Sequence, residues 1–200
     1  MNIVFIGSSS FGEKSLHLLN NMIDCKVTGV VTNSKEFSIS YSTEKVINVL
    51  HADIPSFCEN NKINYVIIKK KMFDQSLYEK IESWKPEAFI VVGWYHMIPK
   101  KWRELAPAYG MHASLLPEYS GGAPLVWAII NNEKLTGITL FQMDNGIDTG
   151  PILGQVKEKI LANDTIDTLY RRIEKLGLNL LKKYVPKIRN NTIKLKIQDE

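Results

Sequence analysis

The chain has 200 residues, 44% of them hydrophobic and 23% charged, with a net charge of +4, which fits one ordinary globular domain able to bury a full core. Two cysteines, Cys25 and Cys58, have no CxxC partner, so a disulfide scaffold is not needed and buried thiols in a reducing compartment are expected. No apolar run nears the ~20 residues that span a bilayer, and the N-terminus MNIVFIG lacks the basic flank of a signal peptide, so a cytoplasmic protein with no membrane partner is expected.

In chain order, Asn2–Ile6 is an apolar run ending at Gly7 and reads as a buried parallel strand. Ser8, Ser9 and Ser10 offer helix caps before an amphipathic segment, Phe11 to Met22. Val27–Thr32 is a second strand, residues 33–42 a surface loop, and 45–53 is ambiguous. Ile54–Asn61 reads as a short helix with Pro55 in its first turn. Tyr65–Ile68 is a strand, and Ser76–Trp84 a helix closed by Lys85-Pro86. Ala88–Val92 is the most apolar strand, and a helix starts at Pro99. Tyr109–Ala113 is a strand, Pro124–Asn131 a helix, and 137–143 and 152–160 are strands. Asp164-Thr165 caps a last amphipathic helix to about Tyr184, with Leu169, Ile173, Leu176, Leu180 and Leu181 at helical spacing. One domain over 1–184 with a weak, basic tail over 185–200 is expected.

The basic residues gather at Lys69-Lys70-Lys71 and from Lys182 to Lys196. They read as a solvated face and tail, or as an attraction for a phosphorylated substrate. Tyr184 is the one aromatic among them, too little interleaving to suggest stacking on nucleic acid. Strands alternating with helices imply a three-layer α/β domain with a mostly parallel sheet, in which ligands lie at the carboxyl ends of strands. Those ends carry residues 7–10, 93–97 and 112–115.

Gly7-Ser8-Ser9-Ser10-Phe11-Gly12 fails two familiar phosphate-loop patterns. A dinucleotide fingerprint needs glycine where Ser9 stands. A P-loop needs lysine directly after the second glycine, and Glu13 intervenes there. Two roles stay open for Ser8, Ser9 and Ser10: plain capping, or holding an anionic part of a substrate at a helix start. Four histidines without an HExxH spacing make a metal site unexpected, and no GxSxG elbow suggests a serine hydrolase.

His112 stands apart because it ends an apolar strand just before the turn Leu116-Pro117. Asp148 follows 36 residues later (148 minus 112), flanked by Gly146 and Gly150 in a tight loop. Alone, each residue reads as a structural histidine and a turn residue. In combination, HASLLP at 112–117 and MDNGIDTGPIL at 143–153 resemble the catalytic domain of the 10-formyltetrahydrofolate-dependent formyltransferases. Gly121-Gly122-Ala123-Pro124-Leu125, Asn132-Glu133 and Thr136-Gly137 fall between them in that family's order. The resemblance spans about residues 1 to 184.

That resemblance implies a Rossmann-like three-layer formyltransferase fold with one antiparallel strand. It also implies transfer of a formyl group from N10-formyltetrahydrofolate to a primary amine, with His112 donating to an oxyanion and relaying a proton, and Asp148 orienting the ring or taking the proton. Folate-contacting residues are expected in Trp94, Tyr95, Met97, Ile98, Asp144 and Gly146, and substrate contacts in Ser8, Ser9 and Ser10. One departure stands out: the family's asparagine two residues before the histidine is Gly110 here. His96, Tyr95 and Asn145 are candidate replacements. With no separate C-terminal domain expected, and with GGAPLVWAIIN at 121–131 closest in look to sugar N-formyltransferases and methionyl-tRNA enzymes, a nucleotide-linked amino sugar is the expected acceptor and nucleic acid is not. Methionyl-tRNA or glycinamide ribonucleotide formylation, formyltetrahydrofolate hydrolysis and a non-catalytic folate- or nucleotide-binding module are the rivals, and a homodimer is left open.

Overall fold

A computed structural model describes residues 1–37, 45–68 and 72–199. Lys69-Lys70-Lys71 and positions 38–42 of the expected surface loop lie outside the described residues. The chain divides into two compact units, Met1–Ala108 and Tyr109–Glu200.

The first unit contains β1 (Asn2–Ile6), α1 (Ser10–Asn20), β2 (Lys26–Asn33), β3 (Glu36–Phe37), β4 (Val46–Ile47), α2 (Ile54–Asn60), β5 (Tyr65–Ile68), α3 (Gln75–Ser83), β6 (Ala88–Val91) and α4 (Lys100–Leu105). β5, β2, β1 and β6 lie side by side in that order, all parallel. β1 and β6 are apolar along their length because both faces are covered: Ile3, Val4, Phe5, Ile6, Phe89 and Ile90 have no exposed surface. α1 starts where Ser9 Oγ accepts from Gly12 N at 3.1 Å, and it buries Phe11, Leu16 and Leu19. Asp53 and Asp74 cap α2 and α3 in the same way. The ambiguous stretch contains β4, which pairs with β3 as a two-stranded antiparallel ribbon. Gly29 in β2 is required by packing, since a Cβ there would lie 2.0 Å from the Trp84 ring.

The second unit contains β7 (Ala108–His112), which crosses the boundary by one residue, α5 (Pro124–Ile130), β8 (Leu135–Gln142), β9 (Ile152–Lys159) and α6 (Ile166–Arg189). β8 runs antiparallel to both β7 and β9, with Gly110 opposite Phe141 and His112 opposite Thr139. It is the one antiparallel strand expected from the resemblance. α6 opens on a capping box between Thr165 and Thr168. It continues through Pro186 to Arg189, beyond the expected end near Tyr184. An interior proline costs about 3 kcal/mol. Leu169, Ile173, Leu180, Leu181 and Val185 are all at least 97% buried, and each contributes roughly 1.5–3 kcal/mol, which outweighs that cost. Arg172 ties this helix to β9 through Glu158 at 3.1 Å and to the turn before the helix through Asp164 at 2.6 Å. Among the described residues no helix is long and apolar enough to cross a membrane.

Candidate active site

His112 is the last residue of β7, and its placement follows from the turn behind it. The Thr139 hydroxyl, opposite on β8, donates to Ser114 O at 2.7 Å and accepts from Leu116 N at 3.3 Å and Gln155 Nε2 at 2.8 Å. The Gln155 amide also donates to Leu116 O at 3.0 Å. These bonds occupy backbone groups that the strand no longer pairs, so the chain turns sharply at Leu116-Pro117 with few polar atoms left over. Leu116, Phe141 and Ile152 form the apolar floor, with Met143 packed against it.

The turn then passes through three left-handed residues, Tyr119 (φ 55°), Gly121 (φ 93°) and Ala123 (φ 53°). Tyr119 is held there by its side chain: its hydroxyl donates to Glu133 Oε1 at 2.7 Å and accepts from Asn131 Nδ2 at 3.1 Å. The Glu133 carboxylate accepting that proton raises the Tyr119 phenol above its usual value. Fixed in this way, the Tyr119 carbonyl oxygen lies 2.7 Å from His112 Nε2. A carbonyl only accepts, so Nε2 carries a proton.

Asp148 reaches the other ring nitrogen, with Oδ2 3.3 Å from His112 Nδ1, and it accepts from Gly121 N at 2.9 Å. Its loop is braced internally. Asp144 Oδ1 accepts from Gly146 N at 3.0 Å and Thr149 Oγ1 at 2.8 Å. A Cβ at Gly150 would lie 1.7 Å from Gln142 O, so only glycine closes the loop. Asp148 itself takes φ 58°. The two predicted catalytic side chains therefore meet, and both are mostly buried. An acceptor oxygen therefore faces each ring nitrogen. Both ring nitrogens are thus occupied by contacts within the protein.

Gly110, two residues before His112 and on the same face of β7, offers the imidazole no side-chain donor. A Cβ there would meet Phe141 at 3.2 Å and Met143 at 3.3 Å, so these apolar groups occupy the space.

The remaining predicted residues, apart from Asn145 in the Asp148 loop, belong to the first unit. Ser8 and Ser9 are buried, and their hydroxyls are used internally: Ser8 Oγ donates to Gly93 O at 3.4 Å, and Ser9 Oγ caps α1. Ser10 donates its backbone N–H to Leu50 O at 2.7 Å. Trp94 packs edge-on against His96 with ring centroids 5.3 Å apart, and its buried Nε1 has no partner. Tyr95 is exposed and donates to Asn48 Oδ1 at 3.2 Å. Met97 is exposed and Ile98 is buried. Asn33, 2% exposed, contacts His96 Nε2 at 2.9 Å. Sequence reasoning missed Tyr119, whose carbonyl carries no sequence signal, and the left-handed Gly121, whose neighbouring Gly122 was the available hint. It also missed Asn33 at a strand end.

A histidine at a strand end is thus paired to an aspartate on a glycine-closed loop. The formyl transferase family profile matches residues 1–185, and the chain belongs to that family. It is 41% identical over 203 residues to a methionyl-tRNA formyltransferase of Alkaliphilus oremlandii, covering 96% of this chain and 61% of that protein. The chain spans about half the length of the curated relatives it matches. Among solved structures, an N-formyltransferase from Helicobacter canadensis in complex with folinic acid and dTDP-3-aminofucose is 25% identical, with a TM-score of 0.70 over 99% of this chain and 67% of that one. A phosphoribosylglycinamide formyltransferase from Anaplasma phagocytophilum shares the fold at 20% identity, with a TM-score of 0.79 over 100% of this chain and 95% of that one. The expected α/β formyltransferase fold, mostly parallel with one antiparallel strand, is thus the fold of this chain.

Proposed function

We propose that the protein moves a formyl group from N10-formyltetrahydrofolate to a primary amine. The observation that carries this reading is the His112–Asp148 pair, 3.3 Å apart, in a chain of the formyl transferase family. The amine nitrogen bonds to the formyl carbon, the bond from that carbon to N10 breaks, and one proton passes from the amine nitrogen to N10. His112 donates to the developing oxyanion and relays that proton, while Asp148 balances the charge on the ring. The folate supplies the formyl group. Trp94 and Met97 offer apolar walls for its flat ring, and the unpaired buried Trp94 Nε1 offers a donor. Tyr95 completes this assignment within the first unit, with Ile98 shaping the segment from the core. Of the three serines, only the Ser10 side chain is left to meet an acceptor substrate.

For the acceptor, the methionyl-tRNA formyltransferases at 31–41% identity favour an aminoacyl-tRNA. α6 adds exposed Lys182, Lys183 and Lys187, the last two 5.3 Å from the Tyr184 ring, an arrangement suited to a polyanion. This reading takes the place of the expectation that nucleic acid is no partner. A nucleotide-linked amino sugar is the second reading, favoured by the Helicobacter canadensis structure. Release of tetrahydrofolate is measured with methionyl-tRNA, a dTDP-amino sugar, glycinamide ribonucleotide, and no acceptor. Turnover with methionyl-tRNA alone supports the first reading. Turnover with the sugar alone supports the second, and turnover without any amine replaces both by hydrolysis.

A further inference from the structure

The segment after α6 is absorbed by none of the chemistry above, yet it returns to the Asp148 loop. Lys196 and Ile152 exchange both backbone hydrogen bonds, Ile152 N to Lys196 O at 2.7 Å and Lys196 N to Ile152 O at 2.8 Å. Two residues on, Gln198 Nε2 donates to Asp148 O and to Gly150 O, each at 2.7 Å. An amide nitrogen has two hydrogens, so both are used on one loop. Apolar burial does not hold this segment: Leu195 is 42% exposed and Ile197 80% exposed. Its docking rests on the backbone pair at Lys196 and on the Gln198 amide. The two carbonyls that the amide binds flank Thr149, and one belongs to Asp148 itself, whose left-handed backbone aims its carboxylate at His112.

We infer that Gln198 is a positioning residue for Asp148. By clasping the Asp148 and Gly150 carbonyls, it holds the carboxylate at its distance from His112. Resting as it does on the proposed formyl transfer, this assignment predicts an effect on the rate of the chemical step and little on substrate affinity. The donor is what matters, not the bulk of the side chain.

The test compares Gln198→Met, of similar length without an N–H, with Gln198→Lys, which keeps donors at the same reach. Steady-state constants with the acceptor that turns over are read together with amide hydrogen exchange over residues 144–150. Q198M is expected to lower kcat about tenfold to a hundredfold with KM within about twofold of the parent, and Q198K to stay within about threefold of the parent kcat. Exchange in the loop speeds up in Q198M and not in Q198K. Parent-like kcat in Q198M, equal losses in the two variants, or unchanged loop exchange overturns the assignment. If the parent protein transfers no formyl group to any acceptor, the proposed function fails, and the exchange measurement still decides whether Gln198 holds the loop.

Discussion

Replacing Asp148 by asparagine removes a charge while keeping its shape. The new side chain's amide oxygen still accepts from Gly121 N, so the 2.9 Å contact that closes the turn survives. The same oxygen position, Oδ2 in the parent, faces His112 Nδ1, so the amide oxygen also accepts from that nitrogen, now without a charge. In the transition state, where the ring carries the relayed proton, two unit charges 3.3 Å apart attract by about 5 kcal/mol at an effective dielectric of ~20. A neutral hydrogen bond returns about 1 kcal/mol of that. The remaining ~4 kcal/mol, at about 1.4 kcal/mol per tenfold, sets an expected loss in kcat near a thousandfold. The assay is steady-state formyl transfer, with thermal melting as a control for folding. Because the two residues act as one unit, H112A and the double variant H112A/D148N should be equally slow. A D148N protein within tenfold of the parent, folded and saturable, would refute the charge-balancing role of Asp148.

Gly110→Asn places the family's second donor beside His112, and its Cβ alone requires Phe141 and Met143 to give by a few tenths of an ångström. It should raise kcat by about tenfold or more if an oxyanion donor is missing, against a ceiling near 10²–10³, and an unchanged rate would mean that the donor is supplied elsewhere. Burial pushes the Cys58 thiol up to about 12, so iodoacetamide at pH 8 should label Cys58 only after unfolding, as peptide mass mapping would show. Burial lowers His96, and burial with nearby Lys35 lowers His51. Both rings stay neutral in the fold where an unfolded chain would take a proton. The stability this gives is full above the ordinary histidine value of 6.5 and is lost as pH falls through it. Melting temperature should therefore drop between pH 7.5 and 5.5, and the drop should shrink in H51N/H96Q.

The pairing of His112 with Asp148 was legible because both lie in short blocks whose order and residue types are diagnostic together. The long elements were legible for a simpler reason: Ile3 to Ile6 and the Leu169–Leu181 face carry strong periodicities that burial enforces. What escaped the sequence rests on backbone groups. The Tyr119 carbonyl meets His112 only because a bulky residue adopts φ 55°, which no local pattern requires. Gln198 binds two carbonyls, and a basic, weakly patterned tail gives no sign of that. The two-residue strands β3 and β4 are too short to show a period. Residues past Tyr184 stay helical because Val185 is buried, a tertiary effect that overrides the proline beside it.

Glu133 is exposed, and in a screen for surface tolerance it would pass as a position free to drift. Its bond to the Tyr119 hydroxyl nevertheless fixes the peptide whose oxygen sets the orientation of the imidazole. Charge reversal there should damage activity before it damages solubility, so mutational maps of this protein would show an apparent outlier at 133 that follows from how one tyrosine is anchored.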